Sequence, residues 1–155
     1  MVDAQSVKNT ETAEQKGDDG GNRVSGIKRH LAVDTNGLPP ALLVTTATLS
    51  DKAGALAMFN ACKANLTRVE QLLVDGGYSG EPFAQSVLQT LGAKVEVAKR
   101  SELHRVAVIP KRGVVERSFA WLETCRRLWK NGERKINTSL QMVVLAFLVL
   151  LLKRS

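Results

Sequence analysis

The sequence predicts an α/β fold: a mixed sheet, antiparallel in its first strands and parallel in its later, helix-linked ones, with helices packed on it. Three observations predict this. Apolar residues alternate with polar ones on the approach to an Asn36-Gly37 step, a hairpin signal. Beyond residue 50 helical spacing takes over, interrupted by short strand-like apolar runs, the pattern of helix-linked parallel strands. A length of 155 residues, 44% apolar and 24% charged, suits one domain over residues 1–155 and argues against collagen, wholesale disorder or a disulfide-stapled miniature.

Residues 3–8 form a short first strand. Residues 9–25 are polar, charged and glycine-bearing with no apolar period, so they read as a mobile loop. Ile27, Leu31 and Val33 are interleaved with Lys28, His30 and Ala32 in one strand, and the turn at Asn36-Gly37 joins it to its antiparallel partner from Ala41 to Thr46. Ser50 or Asp51 caps a helix whose Ala55, Met58, Phe59 and Cys62 fall at i, i+3, i+4 and i+7. Gln71 to Val74 is a short strand ending at Asp75-Gly76-Gly77. Pro82 then suits a first helical turn and Gly92 a helix stop. Ala93 to Ala98 alternates Val95 and Val97 with charged residues, as an edge strand does, and Pro110 precedes a long helical pattern. A last apolar helix covers about residues 138–152. Its eleven consecutive apolar residues, Met142 to Leu152, rise about 17 Å against a hydrocarbon core of about 30 Å, which favours a buried core helix over a membrane span.

Lys and Arg total 22 against 15 acids, and the excess is local: Lys99 to Lys135 holds eleven cations and four acids, while the remainder balances at 11 and 11. Such a segment implies a polyanionic partner, nucleic acid by default. Cys62 and Cys125 are the only cysteines, too few for a cysteine-based zinc site and consistent with a reducing compartment. The start of the chain shows no apolar leader, so a cytoplasmic location is expected.

Asp75 closes an apolar run, where an α/β sheet tends to bind ligands; it is either a metal ligand or simply a turn residue. Asp3 is one acid in a polar stretch, and two carboxylates on separate strands suit magnesium if they meet. At 100° per residue Arg112, Glu116, Glu123, Arg127 and Lys130 form one stripe of a helix, with Val114, Val115, Trp121, Leu122, Cys125, Leu128 and Trp129 opposite. That stripe is either a solvated face or part of a site. Phe119 falls on the charged side, where it either stacks on a base or packs against a loop. His30 and His104 show no ligand spacing. Lys28, Arg29, Arg126 and Arg127 could contact phosphate or merely face water, the last two ranking higher for their proximity to the Glu116 stripe.

In order, the blocks VDAQSVK, GIKRHLAVDTNGLP, LLVDGGYSGEPF and IPKRGVVERSFAWLETCRRLWK followed by GERK resemble the catalytic domain of bacterial insertion-sequence transposases of the DDE type, in the IS-five-like group. The resemblance implies an RNase H-like fold in which three acids hold two divalent ions, magnesium or manganese, for DNA strand cleavage and strand transfer. Carried over by motif, those acids are Asp3, Asp75 and Glu116, with Arg112, Arg126, Arg127 and Lys130 holding phosphates of double-stranded DNA. It also implies a homo-oligomer on paired ends and association with the nucleoid when bound. Asp3 lies two residues from Met1, so the region that complete members carry ahead of the first acid is expected either on a separate N-terminal polypeptide, or to be missing from a truncated copy or a fragment. The chain departs from the pattern where Ile109 replaces a Tyr and Glu123 a Lys, and where Gly113 and Gly132 replace aromatics. Those departures keep a second reading open, an inactive remnant that binds DNA through its basic segment. A third, a membrane protein anchored by its last helix, draws little from the balanced first half.

Overall fold

The computed structural model describes residues 1–98 and 109–154, and the side chains of residues 109–112 and 154 lie outside that description, as does His104. Its first four strands are β1 (Val2–Lys8), β2 (Gly17–Asp19), β3 (Val24–Ala32) and β4 (Ala41–Thr46). All three of the others pair antiparallel with β3: β1 with Val2 opposite Ala32, β4 with Ala41 opposite Ala32, and β2 with Gly17 opposite Gly26. The chain continues through α1 (Asp51–Ala61), β5 (Gln71–Val74), α2 (Glu81–Leu91) and β6 (Lys94–Val97), then α3 (Ile109–Glu123) and α4 (Ile136–Arg154). β5 and β6 pair in parallel. The antiparallel-then-parallel order is as the sequence predicts, but among the described residues the ladder divides into two sheets. β1 directs its ladder to β3 and meets β5 only as a neighbour.

Local signals act where the sequence puts them. Ser50 Oγ caps α1 by accepting from the Ala53 amide at 3.3 Å. Pro82 occupies the first turn of α2, and Gly92 ends it at φ +71°, a left-handed conformation that costs glycine little.

Residues directly opposite each other in an antiparallel pair share a face. Val2, Ala32 and Ala41 pack with Met58 and Phe59 of α1 and Phe83 and Val87 of α2. Leu31 and Val33 pack instead with Val115 and Leu122 of α3 and Val143 and Phe147 of α4. Helices therefore cover both faces of β3, and this corrects the expectation that Lys28 and Arg29 reach DNA. Lys28, Arg29 and His30 are 5%, 2% and 0% exposed. Lys28 Nζ lies 2.9 Å from Asp19 and 2.8 Å from Asp51, while Arg29 Nη2 donates to the Leu128 carbonyl at 2.8 Å. The His30 ring sits 3.0 Å from Thr45 Oγ1 and so close to α1 that a Cβ on Gly54 would fall 2.0 Å from its Cε1. Cations with internal partners on both sides of a covered strand are not presented to phosphates.

Residues 9–25, expected as loop throughout, also contain β2 and a set of ties to the far end of the chain. Asn131 donates its amide to Lys8 O at 2.8 Å and accepts from the Thr10 amide at 2.9 Å. Its side chain donates to Asn9 Oδ1 at 2.9 Å and accepts from Ser139 Oγ at 2.6 Å.

The charged stripe is shorter than helical periodicity implies. α3 ends at Glu123 and a separate 3-10 turn takes up Arg126–Leu128, so Arg127 and Lys130 leave the helix that carries Glu116. Phe119 is buried in the cluster shared with α4, which selects packing over base stacking, while Trp129 is 61% exposed rather than buried. α4 also departs from expectation. Val143 and Phe147 are buried, but Leu145, Leu148 and Leu152 are 53%, 50% and 76% exposed. The buried-core reading holds for one face only, and Ile136–Lys153 is long and apolar enough by length and composition to cross a membrane.

Candidate functional site

Asp3 lies on β1 opposite Leu31, so it shares the face of the sheet that α3 covers. One of its oxygens accepts from the Ala4 amide at 2.8 Å. Burial raises its pKa to about 6; the Ala4 hydrogen bond opposes this, and the fields of Asp75, Asp51 and Glu116 add to it. Those acids come from the end of β5, the first turn of α1 and α3.

Asp75 stands at the carboxyl end of β5, where the strand gives way to a 3-10 turn over Gly76–Tyr78. Its Oδ1 accepts from the Gly77 amide at 2.9 Å, the bond of a turn residue, and this leaves Oδ2 without that amide contact. Glu116 is exposed on α3. Two contacts pin that helix: Ser118 Oγ, buried, donates to the Gly37 carbonyl at 3.1 Å, and the Trp121 ring lies where a Cβ on Gly37 would meet it at 3.2 Å. Gly37 sits at φ +83° in the β3–β4 turn, so the hairpin fixes the height of α3 against the sheet. At the end of α3, Gln5 Nε2 donates to Glu123 Oε1 at 2.9 Å, tying Glu123 to β1 at the position where the family pattern has a lysine.

Among the described residues, no three His, Cys, Asp or Glu side chains stand close enough to enclose a cation. The donor set nevertheless fits magnesium in kind, since that ion keeps several waters and takes one or two carboxylates rather than a closed protein cage.

Of the cations singled out in the sequence, Arg126, Arg127 and Lys130 are exposed, and Arg127 is paired with Glu133 at 2.6 Å. Arg112 belongs to α3, with its side chain outside the described residues. Sequence reasoning misses Asp51 and Tyr78. In the sequence Asp51 reads only as a possible helix cap, and Tyr78 stands inside the DGGY block without a role.

The profile of the family described as Transposase DDE domain matches residues 1–152. A protein of Burkholderia cepacia, provisionally named a transposase for insertion sequence element IS402, is 32% identical over 117 residues, covering 71% of this chain and 55% of its own length. The chain thus spans about half the length of that relative. No solved structure matches it. With one family profile over nearly the whole sequence and a relative of the same description along most of it, the chain belongs to the DDE-domain transposases of bacterial insertion sequences.

Proposed function

We propose that this chain is an RNase H-like catalytic domain that cleaves and joins DNA strands, with Asp3, Asp75 and Glu116 as ligands of divalent magnesium or manganese. One observation carries the reading: the charges of Asp75, at the end of β5, and of Glu116, on α3, both bear on the buried Asp3 of β1, although the three elements are far apart in sequence. A buried carboxyl among like charges is unfavourable alone, and a cation relieves it.

When bound, a pair of such ions stabilises the attacking and leaving oxygens of an in-line displacement at phosphorus. The protein's own part is orientation. The Ala4 and Gly77 amides each hold one carboxylate oxygen of Asp3 and Asp75, and the Ser118 contact holds α3. Arg126, Arg127 and Lys130, with Arg112, would hold backbone phosphates of double-stranded DNA, a role that needs charge and reach more than base readout. Paired element ends favour a homo-oligomer acting in the cytoplasm at the nucleoid.

Nicking of supercoiled plasmid tests the reading. With magnesium or manganese the wild-type chain nicks, EDTA stops it, and Asp75→Asn lowers the rate by at least about a hundredfold, the loss of a few kcal/mol of charge stabilisation. Absence of metal-dependent nicking would overturn it.

A second reading, a DNA-binding remnant without catalysis, is favoured by the absence, among the described residues, of three acids close enough to enclose a cation. It gives salt-sensitive DNA binding with no nicking under any metal.

A further inference from the structure

Tyr78 is 2% exposed, and its ring packs in the core between sheet and helices, 5.7 Å from the ring of Phe83. Its amide donates to the Asp75 carbonyl at 3.1 Å, so the same tight turn that presents Asp75 also fixes this ring. Among the described residues the phenol oxygen has no hydrogen-bond partner. An unpartnered buried hydroxyl costs on the order of 1–3 kcal/mol, and nothing about packing asks for it, since a phenylalanine ring would fill the same space. The acids around it are informative. The ring shares its buried cluster with Val2 and Val74, the chain neighbours of Asp3 and Asp75, and a phenol hydroxyl can donate to a carboxylate.

We propose that Tyr78 is a positioning residue of the carboxylate site, its hydroxyl donating to the Asp3–Asp75 carboxylates, or to water they hold, when a divalent cation draws those acids together. The proposal rests on the carboxylate-site reading above and adds a residue to it. Groups that hydrogen-bond to metal-ligating carboxylates orient them and strengthen binding, and their removal typically weakens affinity by a factor on the order of ten or more. Asp51 bears on the same region from the first turn of α1, where Lys28 holds it at 2.8 Å. Its charge is thereby partly compensated, which leaves Asp3 and Asp75 as the better acceptors.

Tyr78 is the only tyrosine, so a chain labelled at the tyrosine Cζ carbon gives one carbon resonance. Magnesium alone is titrated into the whole 155-residue chain while calorimetry records the binding heat in parallel. The expected result is a resonance shift that saturates at the calorimetric midpoint, a Kd raised on the order of tenfold in Tyr78→Phe, and loss of both signals in Asp3→Asn. Binding heat with an unmoved resonance overturns the role of Tyr78 and leaves the carboxylate site standing. So does a Phe variant that melts lower but binds magnesium with unchanged Kd, the behaviour of a purely structural ring. Absence of magnesium binding by the wild-type chain overturns the carboxylate site, and this proposal with it.

Discussion

Strand β3 buries Lys28, Arg29 and His30 at the centre of the molecule, whereas α4 leaves Leu145, Leu148 and Leu152 on its surface. The two elements reverse the usual assignment of polar residues to the outside and apolar residues to the inside. Burial follows from what covers an element. β3 has helices on both faces, so from Gly26 onward whatever its sequence carries goes inside and must find partners: Asp19 and Asp51 for Lys28, a carbonyl for Arg29, a hydroxyl for His30. α4 is covered on one face, and the leucines on the other leave no polar group unsatisfied, so nothing internal opposes their exposure.

The largest effect expected from this contrast lies within α4 itself. Phe147→Ala, on the buried face, should cost about 4 kcal/mol in urea unfolding, whereas its neighbour Leu148→Gln should change stability by no more than about 0.5 kcal/mol. Equal losses would mean that something covers the outer face too. Next comes Gly54→Ala, which drives a methyl into the buried His30 ring and should cost about 3 kcal/mol or more. A fold that tolerated it would show that α1 can lift from β3.

The pH dependence of β3 should be comparable. Burial lowers His30 from 6.5 to about 4, so between those values the unfolded chain binds more protons than the folded one. Stability is therefore complete above pH 6.5 and falls by on the order of 3 kcal/mol as the pH drops to 4. Asp3 runs the other way. Raised from 3.8 to about 6, it removes stability as the pH rises through that interval and masks part of the histidine effect. Urea midpoints measured at pH 7 and pH 4.5 in an Asp3→Asn background should expose the full slope, and adding His30→Gln should flatten it.

The smallest effect on stability, and the sharpest on binding, concerns the cations. Arg126→Ala with Lys130→Ala should leave the fold intact and reduce the salt slope of DNA binding by about two, near 0.9 for each phosphate no longer neutralised. Arg29→Met should leave that slope unchanged, because the Arg29 guanidinium is occupied inside the protein. A slope that responded to Arg29 instead would restore it as a DNA-binding residue.

What the sequence discloses and what it hides separate along the same line. The Ser50 cap, Pro82 and Gly92 act through residues a few positions away, so the bounds of α1 and α2 are legible locally. Asp3, Asp75 and Glu116 are proposed as ligands from the resemblance of their sequence blocks. The partners of Lys28 and Arg29 are not legible, because Asp19, Asp51 and Leu128 come from other elements, and a polar residue on a strand looks the same whether or not a helix lies over it. Helical periodicity carries past Glu123 onto Arg127 and Lys130 because nothing in the run Thr124 to Lys130 is a strong helix breaker. Tyr78 is hidden differently: its core position explains its ring, and only the three-dimensional arrangement shows that its hydroxyl is left over.

The Asn131 junction has a consequence for synthesis. It joins Lys8, Asn9 and Thr10 to a residue more than a hundred positions downstream, in the loop ahead of α4. A nascent chain therefore emerges from the ribosome with the end of β1 and the following segment waiting for that residue, at usual elongation rates for on the order of ten seconds. For that interval a strand terminus with unmet backbone groups is held in the open, and chaperones have their longest opportunity there. A transposase born this way closes the open end of its first strand only when Asn131 has been translated.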